Sequence, residues 1–238
     1  EFKDEKRAHE TIPPHQHLVK YHGYGTRCII LEYLQERPTL LIEPVIITFM
    51  LHVLSGIEWL HRHNWAHRDI KLPNVLHDGQ VFKLIDLGLA NDGVDGSVIG
   101  TSVHRAPETI LNCHLHSVAR KWVPHPYDLK VDIFAFGVMM YQALTMNARF
   151  EVMADFNITV LMKHFQHFGS PGIGSYLTTL PLWSDHFPKI PKPTSLNLIY
   201  PELEPFIWQA LEYNPADRPT ATELHKKIIS YQDNKKQQ

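Results

Sequence analysis

Four polar side chains close together in the sequence could jointly do chemistry on a hydroxyl group. Asp69, in His67-Arg68-Asp69-Ile70-Lys71-Leu72-Pro73-Asn74, falls in a loop between a long helical pattern and a hairpin. A carboxylate there can point into a cleft and accept a proton from a hydroxyl nucleophile. Lys71 follows at the second residue and supplies positive charge beside the carboxylate. Asn74 and Asp86, the latter in Asp86-Leu87-Gly88, offer the hard oxygen donors that magnesium requires. His67-Arg68-Asp69 alone reads equally well as a polar turn with a buried salt bridge, so the chemistry rests on the whole set.

The elements that must position this set are legible from periodicity and punctuation. Asp4 to Ile12 reads as the end of a helix broken at Pro13-Pro14. Leu18 to Gly25 and Arg27 to Leu34, with β-branched and aromatic residues around glycines, read as two strands joined by a turn. From Glu43-Pro44 the pattern becomes helical, with Thr48, His52, Ser55 and Glu58 as its polar stripe and the remainder facing core. Asn74 to Leu76 and Val81 to Ile85 form a hairpin around His77-Asp78-Gly79-Gln80, and Gly88 to Thr101 reads as loop. A histidine-rich insert follows Glu108 and precedes a buried helix from Asp132 to Thr145. A Pro/Gly-punctuated stretch then runs to Pro205, before a closing helical region and a disordered tail.

His67-Arg68-Asp69 to Asn74, Asp86-Leu87-Gly88 and Ala106-Pro107-Glu108, in that order and spacing, resemble the catalytic loop, metal-binding turn and activation-segment end of a eukaryotic protein kinase. The resemblance implies an α+β, protein-kinase-like bilobal fold, with a truncated small β lobe over residues 1–34, a mainly helical large lobe over 35–230 and a disordered tail over 231–238. It implies a serine/threonine protein kinase that transfers the γ-phosphate of ATP to protein hydroxyls. Asp69, Lys71 and Thr101 would be catalytic, with Asp69 as base. Leu31, Glu32, Tyr33, Leu34, Lys71, Asn74, Leu76 and Asp86 would hold ATP, and Asn74 and Asp86 would hold Mg2+. Within Ile29-Ile30-Leu31-Glu32-Tyr33-Leu34, Leu31 would be the gatekeeper, and backbone groups of Glu32 to Leu34 would bond the adenine. Asp132 would anchor the catalytic loop backbone, and Arg218, in Pro215-Ala216-Asp217-Arg218-Pro219-Thr220, would pair with Glu108.

Lys71 with Thr101 favours serine and threonine as acceptors, since tyrosine-specific members carry an alanine-arginine pattern in the catalytic loop. His104 stands where the family usually has tyrosine, which bears on the shape of the substrate pocket. Leu87 replaces the common phenylalanine and fills a similar apolar slot. Ser97 is the candidate for activating phosphorylation, through the positive charge of Arg68 beneath the activation segment. Glu5 corresponds either to the regulatory-helix glutamate or to a solvated helix charge. No Gly-x-Gly-x-x-Gly or paired strand lysine precedes these motifs in the sequence, and Gly23-Tyr24-Gly25 sits at a strand turn, unsuited to a phosphate loop. This is expected to weaken nucleotide binding, and it keeps two alternatives: a pseudokinase or kinase fragment acting as a binding scaffold, and a kinase-fold enzyme for small molecules. Intact Asp69, Lys71, Asn74 and Asp86 favour the enzyme, because a scaffold has no chemical need for all four.

Composition sets the remaining bounds. A chain of 238 residues with 44% hydrophobic content can bury one large domain or two lobes. A net charge of -2 gives no field for nucleic acid or anionic membrane, and neither partner is expected. Val45 to Leu60 and Ile133 to Ala148 fall short of a membrane span and read as core helices. The charged N-terminus lacks the apolar core of a secretory signal, and Glu1 in place of methionine leaves room for a longer gene product. Cys28 and Cys113 suggest no disulfide framework, in keeping with a cytoplasmic or nuclear setting. Seventeen histidines invite a metal reading, but the clusters Cys113-His114-Leu115-His116 and His61-Arg62-His63 lack the further ligands of a zinc site and read as surface residues in an insert and at a helix end.

Overall fold

The computed structural model describes residues 2–34, 42–92, 100–111, 128–145, 157–180 and 182–237. Ser97, Cys113, His114 and His116, with most of the insert after Glu108, lie outside the described residues. The α+β class is observed, with helices dominant and the named strands forming two antiparallel pairs. The chain divides into two compact units, Glu1–Gly93 with Pro219–Gln238, and Val94–Arg218. This is not the expected division at residue 34. Backbone bonds from Val19 N–H to the Leu84 carbonyl (2.8 Å) and from Leu84 N–H to the His17 carbonyl (2.9 Å) tie the first strands to the later hairpin.

In the first unit, α1 (Phe2–Thr11) leads into the bulged hairpin β1 (Tyr21–Tyr24) and β2 (Ile29–Leu31). The long helix α2 (Glu43–Arg62) buries Ile46, Ile47, Phe49, Met50, Val53, Leu54, Ile57 and Leu60, and leaves Thr48, His52, Ser55 and Glu58 only part-buried. Each such apolar side chain is worth about 1.5–3 kcal/mol on burial, so packing rather than intrinsic propensity fixes this helix of many β-branched and aromatic residues. At 20 residues α2 is longer than its apolar stretch suggests, and by length and composition it could cross a membrane. Its buried face packs on the hairpin β3 (Val75–His77) and β4 (Phe82–Leu84), and on the last helix, as a core helix does. Gly56 permits that approach: a Cβ there would lie 2.9 Å from the His17 carbonyl oxygen and 3.0 Å from a Leu84 methyl.

That last helix, here α6 (Ala221–Lys236), corrects the expectation of a disordered tail after residue 230. Thr220 and Glu223 form a reciprocal capping box at its start. Near its end Tyr231 donates to Glu43 at 2.9 Å, and Lys235 pairs with the same carboxylate. Glu58 in turn accepts from Thr222 at 2.9 Å. These bonds to α2 hold a polar sequence in helix.

The second unit contains α3 (Val131–Thr145), α4 (Asn157–Phe168) and α5 (Glu204–Ala210). α4 is a helix in a stretch expected to be irregular. Its Val160, Leu161 and Phe165 are buried in one cluster with Ile110, Leu111, Leu177 and Leu180. The pairing expected of Arg218 and Glu108 is present and buried, with guanidinium nitrogens 2.9 and 3.2 Å from the two carboxylate oxygens. Arg218 also donates to the carbonyls of Lys130 (2.8 Å) and Glu212 (3.0 Å). Removing one member of such a pair strands the other without water. Arg218→Met is therefore expected to cost about 3–5 kcal/mol in urea unfolding, and Arg218→Met with Glu108→Leu substantially less; equal losses in the two proteins would show that the ion pair is not what stabilises this unit.

Candidate active site

The loop carrying Asp69 is fixed to the segment carrying Asp86 by a run of bonds within the first unit. Ala66 and Asn91 exchange both backbone bonds, at 2.9 and 3.0 Å. The buried His67 ring places Nε2 3.0 Å from the Ile85 carbonyl, so that nitrogen carries the hydrogen and donates. Arg68 donates from Nε to the Leu89 carbonyl at 2.6 Å. Ile85 N–H donates to the Asn74 carbonyl at 3.0 Å, extending the β3–β4 pairing by one step. Asn74 therefore stands opposite Ile85, next to Asp86.

Within this frame Asp69 is 5% exposed. Lys71 Nζ lies 2.7 Å from its Oδ2, and Asn74 Nδ2 donates to the same oxygen at 3.0 Å and to the Asp69 carbonyl at 2.9 Å. A buried carboxylate needs such partners, and the ammonium and amide provide them. With its nitrogen committed, Asn74 turns its amide oxygen into the role of acceptor. Asp86 is exposed, so its carboxylate is open to ions, and one of its oxygens accepts from Gly88 N–H at 3.3 Å.

Two residues of this frame stand in the left-handed region, Arg68 at φ 67° and Asp86 at φ 63°. For residues with a Cβ this conformation costs roughly 1 kcal/mol or more, and such strain gathers where side-chain direction matters. Both stand beside the groups that could do chemistry. Asp86 reaches its position through a short turn, Leu87–Leu89, that packs against α1.

A carboxylate and an amide oxygen fit magnesium held jointly with substrate phosphates, the usual mode for a cation that keeps several waters. They do not make an all-protein cage, and no group of three or more His, Cys, Asp or Glu suited to a metal occurs among the described residues.

The other residues singled out from sequence are placed unevenly. Leu31 ends β2 opposite Tyr21, and Leu76 lies in β3 opposite Lys83. Tyr33 is 84% exposed, whereas Leu34 is buried. The Glu32 N–H is taken by the Lys20 carbonyl at 2.9 Å, so a backbone bond from this residue to an adenine would have to come through its carbonyl. The Glu32 carboxylate binds Lys83 Nζ at 2.7 and 2.8 Å, a long-range pair that no spacing or motif foretells. Glu5 lies 3.9 Å from His9 on the same helix face. Thr101 and His104 belong to the second unit: Thr101 accepts from His104 N–H at 2.9 Å through its carbonyl, and the His104 side chain is buried.

Comparison with known proteins identifies the family. The profile of the protein kinase domain matches residues 4–228, and the chain belongs to that family. Among similar proteins are serine/threonine-protein kinase STY46 of Arabidopsis thaliana, 25% identical over 92% of this chain and 32% of that protein, and putative serine/threonine-protein kinase L673 of Acanthamoeba polyphaga mimivirus, 29% identical over 78% and 33%. The dual serine/threonine and tyrosine protein kinase of Homo sapiens is 32% identical over 55% of this chain and 15% of that protein. The chain thus spans about a third or less of the length of these relatives.

The left-handed backbone at Asp86 makes a prediction separable from ligand binding. Asp86→Gly is expected to be more stable than Asp86→Ala by roughly 1 kcal/mol, because only glycine adopts that conformation without strain. Chemical denaturation of both variants checks this; equal stability would mean that position 86 relaxes out of the left-handed region.

Proposed function

We propose that this chain is the catalytic part of a serine/threonine protein kinase, transferring the γ-phosphate of ATP to a protein hydroxyl. The observation that carries the reading is the assembled set of Asp69, Lys71 and Asn74 in mutual contact, bonded through Ile85 to the segment presenting Asp86. Phosphoryl transfer needs little covalent chemistry from a protein; it needs donor and acceptor held in line and the spreading negative charge met.

Asp69 is the group to orient the acceptor hydroxyl and take its proton as the new P–O bond forms. Lys71, already charge-paired, is the cation beside the transferred group. Asn74 and Asp86 are the oxygen donors for magnesium, which when bound neutralises phosphate charge. Leu31, Tyr33, Leu34 and Leu76 are the residues proposed to meet the adenine, with the Glu32 carbonyl in place of its committed N–H. The names of the similar proteins support serine and threonine acceptors, and the dual-specificity relative makes tyrosine the second acceptor to test.

A scaffold reading has one observation in its favour. Among the described residues the sheet that carries Leu31 consists of β1 and β2 alone, which leaves few groups to cover a nucleotide. Nucleotide binding separates the two. A ligand at about 100 times its Kd adds about 2.7 kcal/mol to the folded state, a rise in Tm of roughly 5–10 °C for a domain of this size. With ATP and magnesium the protein is expected to show that rise, Asp86→Asn to lose its magnesium dependence, and Asp69→Asn to keep it while phosphorylation of a generic acceptor protein falls about 10²–10⁴-fold. A folded sample with no shift would make the chain a scaffold.

A further inference from the structure

The outer edge of β4 is closed in an unusual way. Phe82 faces His77 of β3 and Leu84 faces Val75, and the bonds described for Phe82 and Leu84 run to the other side of the strand. The N–H and C=O of Leu84 are satisfied by the backbone of His17 and Val19. Those of Phe82 are met by two imidazoles: His17 Nδ1 lies 3.1 Å from the Phe82 carbonyl, and Phe82 N–H points to His52 Nδ1 at 3.2 Å. The ring centroids are 4.2 Å apart. The tautomers follow from the partners, because a nitrogen facing a carbonyl must donate and one facing an N–H must accept. His17 carries its hydrogen on Nδ1, and His52 is neutral with its hydrogen on Nε2.

We propose that His17 and His52 are positioning residues for the Asp86 carboxylate, a neutral-imidazole clamp that fixes β4 two residues upstream of the Leu84–Asp86 segment and releases it in mild acid. The role rests on the kinase reading above; the clamp itself does not. Protonating His52 on Nδ1 sets its N–H against that of Phe82, two donors with no acceptor, beside a second ring that would also be gaining charge. Gly56 brings α2 against the His17 carbonyl and the Leu84 side chain, so a displaced loop or strand has no slack on that side.

The titratable groups around the pair are His15 of the same loop, Glu58 and Arg62 on α2, His77 beside Phe82, Asp78 and Lys83 of the hairpin, and His225 on α6. Asp78 favours a charged His52, but burial and the neighbouring His17 and His225 outweigh it and push His52 down to about 4. Burial likewise lowers His17, against the pull of the Phe82 carbonyl. A histidine depressed in the closed state favours closure fully above about pH 6.5 and progressively less as the pH falls towards 4.

The test reads the clamp and its consequence separately. Imidazole 15N NMR of the whole chain should show the Nε2–H tautomer for His52 and Nδ1–H for His17. Between pH 7.5 and 5, opening of Phe82 to Leu84 by amide exchange, corrected for intrinsic rates, should rise about thirtyfold, the ratio set by values near 6.5 and 4. His52→Asn, which offers an amide oxygen in place of Nδ1 and does not titrate, should flatten that rise, and its affinity for magnesium-ATP should fall several-fold less than that of the wild type over the same range. His17→Asn, which offers an amide N–H to Phe82, is the second variant should the first fail to fold. Either wrong tautomer, or a variant that keeps the wild-type exchange profile, overturns the clamp. Identical pH dependence of nucleotide affinity in variant and wild type overturns the positioning role. A wild type that shows the exchange profile but binds no magnesium-ATP at pH 7.5 retires that role together with the kinase reading, while the clamp stands.

Discussion

A charge withdrawn from water must recover from the protein the interactions it has lost, and this requirement organises each unit of the chain. In the second unit Arg218, 1% exposed, is met by both oxygens of Glu108 and by two backbone carbonyls. Its demand for acceptors draws together the start of α3, the segment after α5 and the helical turn at Glu108. In the first unit Asp69 is nearly as buried and is met by Lys71 and Asn74. The two arrangements differ in kind. The arginine fork is rigid and bidentate, and it serves to hold. The lysine is a point charge on a flexible stem and the asparagine is neutral, so this carboxylate is balanced without being locked into a fork.

The same contrast runs through the backbone. Short loops that present chemistry are bonded to one another at their ends, by Ala66 with Asn91 and by Ile85 with Asn74, while Arg68 and Asp86 sit in left-handed conformations between those ties. A strained residue persists only where its surroundings over-determine it. Here the ties come from both sides: the His67 ring and the Arg68 guanidinium each reach across to carbonyls of the Asp86 segment. Preorganisation of the candidate site is therefore a property of main-chain carbonyls as much as of the four polar side chains.

Those four side chains were legible because chemistry constrains residue type and spacing together. The core of α2 was legible too, because Thr48, His52, Ser55 and Glu58 form a part-buried polar stripe at helical period that sets off the buried apolar face. α4 was hidden by its composition: Ile158, Thr159 and Val160 are β-branched, and only the burial of Val160, Leu161 and Phe165 against Leu177 and Ile110 decides for helix. The end of α6 was hidden for the opposite reason. Its residues are polar, and what orders them lies in α2, at Glu43, far away in sequence. The Glu32–Lys83 pair and the two histidines on Phe82 share that character: each is a long-range contact between residues that, read singly, look like ordinary surface positions.

β4 is the element on which these threads meet. It is three residues long, yet its inner edge pairs with β3, its outer edge is closed by His17, Val19 and His52, and Leu84 packs beneath Gly56 of α2. A strand that short has little stability of its own; its position is whatever its neighbours impose. Because Asp86 follows directly, the direction of the one exposed carboxylate in the site is set by packing in the core of the unit rather than by the loop that carries it. A histidine pair at the outer edge is then well placed to influence the site without touching it. The effect would travel along a single strand whose two hydrogen-bonding edges are both occupied, so that displacement at Phe82 has no place to be absorbed before Asp86.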